Sequence, residues 1–439
     1  MKLGFNTNEK TTTSVLVGRL GNSIASTSRI FKYYNKKYLD LNISFNHIFN
    51  NLGIPSIQPQ SQIFTPYHIL NNNQLSINEI PNELQNSNIT PINPINSNKL
   101  LKAIKPILTG PFSPSQIKTA YSINSITPLK GIRPVIITII TAFNNPYLVN
   151  DVKAFGNLFG LPPCNLKIYN FSPYFVPNWA VETTLDVQWA YAINPYAEIR
   201  VIQARTSNWA DLFNAINFAN NKNNFSPAIN TDIINMSWGT PDKGNFSAYN
   251  NYFNNTNTIY VASSGDNSVV SFPSACTNIL AIGGTSLNLL SNYTRSTEKV
   301  WSRSGCGLSS SFNKPIYQPN INNNTRRITP DCCCVADPST GCYVVLNSKL
   351  YSIGGTSLSA PIYAGMLSIL TQNRLNQQKS TFTSVAEKIN SIQPILYKNT
   401  TSFFDVISGS SSSYTAKQNF DIASGLGVCN LNSIIQQIN

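Results

Sequence analysis

An unbroken run of β-branched and other apolar residues, VIITIITA at 135–142, most constrains the fold of this chain. Such a run is typical of a strand that is buried on both faces, because a strand with one solvated face alternates apolar and polar residues. The segment VETTLDVQWAYAIN at 181–194 then predicts a helix that ends before Pro195.

The same alternation continues further along the chain. Strands are predicted at 198–204, 233–237, 258–263 and 279–283, with a helix around 209–218. Repeated strand–helix–strand units predict an α/β fold from about residue 108 to 439, with a mostly parallel central sheet and helices on both faces. In such sheets functional residues gather in the loops at the carboxyl ends of the strands.

The first 107 residues have a different composition. Residues 71–99 are rich in Asn, Pro and Ser and show no sustained period, which predicts a linker or a poorly ordered segment. Residues 12–55 carry short apolar runs that could form a small packed unit. We therefore divide the chain into an Asn-rich N-terminal segment, 1–107, and an α/β domain, 108–439.

Charge and hydropathy exclude several classes of protein. The net charge is +13, but the Lys and Arg residues are scattered and no nucleic-acid-binding signature is present, so no nucleic-acid partner is predicted. No stretch of 18 apolar residues exists, and the first 20 residues lack the continuous apolar core of a signal peptide. Neither a membrane span nor a cleaved leader is expected, and the compartment stays open.

The positions of the cysteines and histidines restrict which metal sites and catalytic mechanisms are possible. The run Cys332–Cys333–Cys334 has no second cysteine pair or histidine near it, so a zinc site is not expected, while the eight cysteines leave disulfides open. The two histidines, His47 and His68, both lie in the N-terminal segment. A Ser-His-Asp hydrolase or a His-ligated metal site within the α/β domain is therefore excluded.

The segment GGTSLSAP at 354–361 places Ser357 at the start of a predicted helix. A serine at such a strand-to-helix turn is exposed beside backbone N–H groups and the positive end of the helix dipole, which suits a nucleophile. A serine that only caps its helix would give the same pattern. Both interpretations stay open on these residues alone.

Three carboxylates stand out in a chain with only 18 acidic residues. Glu182 and Asp186 lie four residues apart on one face of an otherwise apolar helix, where like charges repel unless they share a proton. Asp266 follows a predicted strand in a Ser/Gly turn, where an ordinary turn-forming Asp is the alternative. Without a histidine, a carboxylate would have to accept the proton of a serine nucleophile, which favours acidic pH.

In their order along the chain, Glu-x-x-x-Asp, Ser-Gly-Asp and Gly-Thr-Ser-x-Ser-x-Pro resemble the motifs of the sedolisins, the serine-carboxyl peptidases. PFSPSQIKTAYSI (111–123), AIGGTS (281–286), SGCGLSSSFNKP (304–315) and RRITPDCCCVADPSTGCYV (326–344) are similar to further segments of that family. The resemblance covers roughly residues 108–439. It implies a subtilisin-like three-layer fold and hydrolysis of peptide bonds.

The resemblance also implies roles for particular residues. Ser357 would be the nucleophile, Glu182 its general base, Asp186 the residue that tunes Glu182, and Asp266 a protonated acid at the oxyanion. One structural calcium ion is implied near the C-terminus. Its ligands would be carboxylates and backbone carbonyls of Asp405, Val406, Lys417, Asn419 and Asp421.

Two features depart from the family. Lys417 and Asn419 stand where glycines are usual, and a longer folded prosegment, removed on acidification, usually precedes the peptidase domain. Residues 1–107 could be a reduced prosegment or serve anchoring or packaging. We expect a monomeric peptidase that acts on polypeptides, and the resemblance alone suggests secretion or an acidic compartment. The alternative is a non-catalytic structural or packaged protein that retains the scaffold, whereas a conventional subtilase would need a histidine.

Overall fold

The computed structural model describes residues 107–123, 133–221, 231–321, 323–378 and 392–438, and the backbone of four strands within residues 14–76. Its α-helices are α1 (Pro114–Ala120), α2 (Leu148–Leu158), α3 (Pro177–Ile193), α4 (Trp209–Ala219), α5 (Thr356–Asn376), α6 (Ile392–Lys398) and α7 (Leu431–Ile438). Short 3₁₀ helices lie at Ser247–Phe253, Pro338–Thr340 and Thr400–Ser402.

The strands fall into a central group and several small sheets. Up to residue 263 they are β1 (Ser14–Val17), β2 (Thr27–Ile30), β3 (Thr65–Pro66), β4 (Ile69–Ser76), β5 (Ile107–Leu108), β6 (Ile136–Ala142), β7 (Asn165–Asn170), β8 (Glu198–Ala204), β9 (Ile233–Met236), β10 (Trp238–Pro241) and β11 (Ile259–Ser263). The later strands are β12 (Ser271–Phe272), β13 (Ile279–Leu290), β14 (Arg295–Val300), β15 (Gly307–Asn313), β16 (Arg326–Thr329), β17 (Cys332–Val335), β18 (Cys342–Leu346), β19 (Lys349–Gly354), β20 (Phe403–Phe404), β21 (Ser410–Ser411), β22 (Tyr414–Thr415) and β23 (Val428–Cys429).

The central sheet has the order β14-β13-β11-β9-β6-β8-β7, with β17 and β5 pairing on β13. Pairs within the run from β13 to β7 are parallel, and so is the β13–β17 pair, whereas β14 and β5 lie antiparallel to β13. The predicted α/β fold with a mostly parallel central sheet is therefore confirmed. The carboxyl ends of β6, β8, β9 and β11 meet at one edge of this sheet.

Side chains alternate between two cores on the two faces of the sheet. In β6, Ile137 and Ile139 belong to the core that also contains residues of α2, α3 and α5, whereas Ile140 and Ala142 belong to the core formed with α4. The strand VIITIITA is fully buried from Ile136 onward, as its composition predicts. Burial on both faces follows from helices covering both sides, which gives three layers.

Helix α3 is buried over nearly its whole length and is not amphipathic. It begins four residues before the predicted start, because Pro177 supplies the fixed φ that suits the first turn of a helix. Every residue from Glu182 to Ile193 is buried. The helix ends at Ile193, as the following Pro195 predicts.

The N-terminal segment contributes strands to the small sheets of the domain. β4 pairs antiparallel with β19, and β3 pairs antiparallel with β10. Residues 71–76 are therefore part of a strand, and their prediction as a linker was wrong because β19 supplies backbone partners that polar Asn-rich residues accept as readily as apolar ones. The rest of 71–99, and most of the predicted unit at 12–55, lie outside the described residues.

The structure also describes the cysteines, for which disulfides were left open, and the helices, which bear on membrane spanning. All eight cysteines are free thiols, seven of them buried and Cys164 partly exposed. Within the described part of the chain, no helix is long and apolar enough to cross a membrane.

Candidate functional site

Helix α3 carries the two acids that sequence spacing predicts on one face. The side chains of Glu182 and Asp186 are both 0% exposed. The helix that carries them packs against both the central sheet and α5. Burial in this apolar contact removes the water that would otherwise solvate two negative charges.

Asp186 is held by residues that the sequence did not single out. The Ser237 hydroxyl donates to Asp186 Oδ1 at 2.6 Å, and Asn235 Nδ2 donates to Ser237 Oγ at 3.1 Å. Both residues lie at the carboxyl end of β9 and are 0% exposed. Their position at the end of a predicted buried strand could have marked them as candidate site residues in the sequence, because functional residues gather at the carboxyl ends of parallel strands.

Ser357 lies in the second position of α5, after a turn that requires glycine. Gly355 has a φ of +106°, in the region that disfavours side chains, and a Cβ on Gly354 would collide with the carbonyl oxygen of Ala336. The Ser357 hydroxyl donates to the Ser237 carbonyl at 3.1 Å and forms a side-chain hydrogen bond with Glu182. Ser357 is 0% exposed, which differs from the exposed position expected from the turn.

Asp266 follows β11 and is joined to the turn before Ser357. The backbone N–H and the hydroxyl of Thr356 donate to Asp266 Oδ1 at 2.8 and 2.7 Å. The Gly265 N–H in turn donates to Thr356 Oγ1 at 3.0 Å, which fixes the direction of the hydroxyl. Since Oδ1 accepts both bonds, a proton on this carboxyl would sit on Oδ2.

Burial is the largest influence on the pKa values of the acid pair. Burial raises the pKa of Glu182 well above its usual range, the hydrogen bond with Ser357 lowers it, and the charge of Asp266 raises it again. Burial likewise raises the pKa of Asp186, and the charge of Glu182 adds to this, against hydrogen bonds from Ser237 and Asn235. The two carboxyls thus favour sharing a proton over carrying two charges.

The loop that carries Lys417 and Asn419 is bonded to both predicted calcium-binding carboxylates, Asp405 and Asp421. The Asn419 N–H donates to Asp405 Oδ2 at 2.7 Å, and the Lys417 N–H donates to Asp421 Oδ2 at 2.9 Å. Asp421 Oδ1 also accepts from the backbone N–H groups of Ala423 and Ser424 at 2.7 and 2.9 Å. The loop between Ala416 and Asp421 is therefore anchored on both carboxylates.

The donor set suits a hard cation, since it consists of oxygen atoms only. Asn419 has a φ of +66°, so the left-handed conformation that glycine would supply is reached here by asparagine, which tolerates it. Lys417, the other departure, is exposed, so its side chain meets no packing constraint. Among the described residues no cluster of three or more His, Cys, Asp or Glu side chains that could hold a metal is present, and the predicted set has only two carboxylates.

Comparison with known proteins places this geometry in a family. The model of the subtilase family matches residues 193–415, which include Asp266 and Ser357 and begin after Asp186. The chain is 29% identical to kumamolisin of Bacillus sp. (strain MN-32) over 56% of its own length and 48% of the relative's. It is 25% identical to tripeptidyl-peptidase 1 of Dictyostelium discoideum, over 65% of this chain and 52% of that one. The chain thus spans about half the length of these relatives.

A solved structure supports the fold independently. Pseudomonas sedolisin, a serine-carboxyl proteinase solved in complex with two molecules of pseudo-iodotyrostatin, superimposes with a TM-score of 0.64 at 23% identity. The match covers 74% of this chain and 97% of that one. The three-layer subtilisin-like fold that the motifs implied is therefore confirmed. With the family match across half of its residues, the chain belongs to the subtilase family and, within it, to the sedolisins.

Proposed function

We propose that this chain is a serine-carboxyl peptidase that hydrolyses peptide bonds of polypeptides at acidic pH. The observation that carries the proposal is a continuous set of hydrogen bonds around Ser237. Its hydroxyl binds Asp186, its carbonyl accepts from Ser357, and Ser357 binds Glu182. A serine beside two buried acids has a proton acceptor without histidine.

The first chemical step is the removal of a proton from the nucleophile. When Glu182 is ionised, the Ser357 hydroxyl turns from the Ser237 carbonyl to Glu182 and gives up its proton as Oγ attacks the carbonyl carbon of the substrate. Asp186 limits the cost of this change, because it shares negative charge and proton with Glu182 across the coupled pair. Its hydrogen bond from Ser237 fixes its orientation.

The second requirement is stabilisation of the oxyanion. Thr356 holds Oδ1 of Asp266 through two donors, which leaves Oδ2 to carry a proton and donate to the developing negative charge. Glu182 then returns its proton to the leaving amine, and water completes hydrolysis of the acyl-enzyme by the same route. An ionised Asp266 would repel the oxyanion, so activity is confined to acidic pH.

The decisive assay is proteolysis of a denatured protein between about pH 3 and pH 7, an interval that spans the ordinary carboxyl pKa values. Ser357→Ala should lower the rate by at least about 10³-fold, because no other group can form the acyl-enzyme. Ser359→Ala is the matched control: it removes a buried hydroxyl two residues on, which donates to the Cys334 and Val335 carbonyls, and it should remain active. Acid proteolysis that survives in Ser357→Ala would contradict the assignment, and a wild type without proteolysis would favour the non-catalytic alternative.

We propose further that Asp405 and Asp421, with the carbonyls of Val406, Lys417 and Asn419, hold one structural calcium ion. The ion would cross-link two loops, which is a contribution to stability and not to the reaction. When the concentration of free calcium is about 100 times the dissociation constant, binding adds about 2.7 kcal/mol to the free energy of unfolding.

Chelation should therefore lower the melting temperature, and added calcium should restore it. In Asp405→Asn the melting temperature should be insensitive to both treatments, since one carboxylate ligand is lost while the Asn419 N–H keeps an oxygen acceptor. A wild-type melting curve that does not respond to chelator, with no metal found on elemental analysis, would remove the site.

A further inference from the structure

The turn that carries Asp266, residues 264–268, is bonded to the loop 301–305, which directly follows β14. The Gly305 N–H donates to the Gly265 carbonyl at 2.7 Å. A Cβ on Gly305 would collide with backbone atoms of the same turn, so the two backbones are in close contact. The loop 301–305 is therefore fixed in position beside the candidate active site.

Arg303 is the charged residue of this loop, and its side chain is held in place. Its Nε donates to the backbone carbonyl of Asp266 at 3.1 Å. Its guanidinium carbon lies 5.9 Å from the centre of the Trp301 ring, which is buried. The Ser268 N–H donates to the Arg303 carbonyl at 3.0 Å. Backbone and side chain of Arg303 are thus both tied to the Asp266 turn.

The terminal nitrogens of Arg303 remain available for a ligand. Arg303 is exposed, and within the described ranges of the chain no carboxylate forms an ion pair with it. Arg295, at the start of β14, is different: it pairs with Glu298 at 2.6 Å, and only 17% of its side chain is exposed. A guanidinium that is held through Nε presents Nη1 and Nη2 to solvent, and this fork matches the two oxygens of a carboxylate.

The proposed mechanism gives the distance from Arg303 to the cleaved bond. The oxyanion accepts a hydrogen bond from Asp266 Oδ2, and Arg303 Nε binds the backbone carbonyl of the same residue. Bond lengths and two hydrogen bonds of about 3 Å each leave the Arg303 Nη atoms no more than about 13 Å from the oxyanion. An extended substrate covers about 7 Å in two residues, and a Glu side chain there spans the rest.

We propose that Arg303 binds a carboxylate of the polypeptide substrate within two residues of the cleaved bond, and that it thereby selects acidic substrates. The inference rests on the proposed peptidase function of Ser357. The carboxylate belongs either to an Asp or Glu side chain or to the C-terminus of the substrate, since both present the same pair of oxygens. The net charge of +13 adds a general attraction for acidic polypeptides.

A purely structural role for Arg303 makes a different prediction. If its Nε only fixed the Asp266 turn, replacement would slow the hydrolysis of all substrates alike. If its Nη atoms bind a carboxylate, replacement lowers the rate for acidic substrates relative to neutral ones of the same shape. The ratio of kcat/KM for two matched peptides therefore separates the two roles, because any shift of the turn affects both peptides equally.

The test begins by locating the cleaved bond in a denatured protein by mass spectrometry. Peptides with blocked ends are then built around that bond, with Glu or Gln at each of the two positions on either side. At about pH 5, where a Glu side chain is mostly ionised, wild type should cleave one Glu peptide about five-fold faster than its Gln counterpart in kcat/KM. Salt at about 1 M should reduce this ratio by screening the charges.

A second series tests the terminal carboxylate. These peptides contain no Asp or Glu, end one or two residues after the cleaved bond, and carry either a free C-terminal carboxylate or an amide. A preference for Glu in the first series identifies a side-chain carboxylate as the ligand. A preference for the free acid in the second series identifies the C-terminus.

Variants assign the preference to Arg303. Arg303→Gln should bring the ratio to about one, and Arg303→Lys, which keeps the charge but not the fork, should retain part of it. Lys299→Gln is the matched control, because it removes an exposed positive charge from β14 and should keep the wild-type ratio. Melting curves identify a variant that does not fold, and Arg303→Met, whose side chain still packs on Trp301, then replaces Arg303→Gln.

The outcomes separate this inference from the proposed function. A wild type that cleaves the acidic and neutral peptides equally in both series would overturn carboxylate selection and leave the peptidase function standing. A preference that survives unchanged in Arg303→Gln would do the same, since another group would then bind the carboxylate. A wild type that cleaves neither the denatured protein nor any peptide would overturn both.

Discussion

Two sites in this molecule bury carboxyl groups, and they offset the cost of a buried negative charge in opposite ways. Asp331 is matched by a cation: Arg327 Nη1 and Nη2 donate to its two oxygens at 2.7 and 2.6 Å, and both side chains are 0% exposed. Burial opposes the charge of Arg327, but Asp331 outweighs it, and the pKa of Arg327 is raised. Ala281 and Tyr397 donate to the same carboxylate at 2.8 and 2.7 Å.

The acid pair on α3 is surrounded by serines and other acids. For Glu182 and Asp186, burial raises both pKa values, each has an acidic neighbour that raises its pKa further, and the opposing groups are hydroxyls and an amide. A carboxylate paired with arginine keeps one charge state and holds structure together. A carboxylate that shares a proton with a neighbour can change charge state, which is what acid–base chemistry needs.

The largest expected effect comes from breaking the matched pair. Asp331→Asn leaves Arg327 buried without its counter-charge, so we expect the free energy of unfolding to fall by about 3–5 kcal/mol in urea titrations. Asp186→Asn is the matched test at the other site. It should change stability by less than about 1 kcal/mol, because a neutral isostere suits an acid whose pKa is already raised, while activity falls by about 10²–10⁴-fold.

The double variant Arg327→Met/Asp331→Leu removes both charges and should recover part of the stability, since apolar side chains can replace a buried ion pair. Full recovery is not expected, because the Ala281 N–H and the Tyr397 hydroxyl lose their acceptor. An Asp186→Asn variant that is destabilised as strongly as Asp331→Asn would mean that the two sites do not differ in kind.

Removing the third acid tests whether Asp266 controls the alkaline limb of the pH–rate profile. Asp266→Asn should reduce kcat by about 10²–10³-fold, because the amide is a weaker donor to the oxyanion. The alkaline limb of the pH–rate profile should disappear, since no proton is left to titrate at this position. The acidic limb should keep its position, because in this mechanism Asp266 is already protonated and uncharged at the pH where Glu182 ionises. An unchanged alkaline limb would show that another group controls it.

The pH dependence of stability is the smallest effect and bears directly on the shared proton. Both acids have folded-state pKa values above the unfolded values of about 4, so the folded protein holds protons that the unfolded chain releases. Their stabilising contribution is complete below the unfolded pKa and is lost as pH rises through the folded pKa. Each group can contribute a slope of up to about 1.4 kcal/mol per pH unit.

The double variant Glu182→Gln/Asp186→Asn removes both titrating groups and should flatten the difference in unfolding free energy between acidic and neutral pH. Other carboxyls with raised pKa values, such as Asp151 and Asp211, are present in both proteins, so their contributions to the pH dependence cancel in the comparison. Equal pH slopes in wild type and double variant would contradict the raised pKa values of the pair.

The elements that could be predicted from the sequence are those whose own residues decide them. β8 has the predicted bounds, and β6 and β11 each begin one residue later than predicted, because continuous apolar runs bury a strand wherever the sheet has two covered faces. β13 instead extends to Leu290, seven residues beyond its prediction: Leu287 and Leu289 alternate with polar residues there, and the antiparallel partner β14 supplies the backbone hydrogen bonds. β4 escaped prediction for the same reason.

The sequence by itself determined which chemistry is open to this protein. A domain without histidine, with the pair Glu182 and Asp186 at helical spacing and a glycine turn before Ser357, leaves a carboxylate as the proton acceptor. Tertiary structure decided how that chemistry is set up. Ser237 donates a hydrogen bond to Asp186 although the two residues are 51 positions apart in the sequence. Thr356 donates to Asp266 across a separation of 90 positions. The physical reason is that a pKa depends on burial and on the distance between charges, and both are fixed by contacts between segments that no local pattern joins.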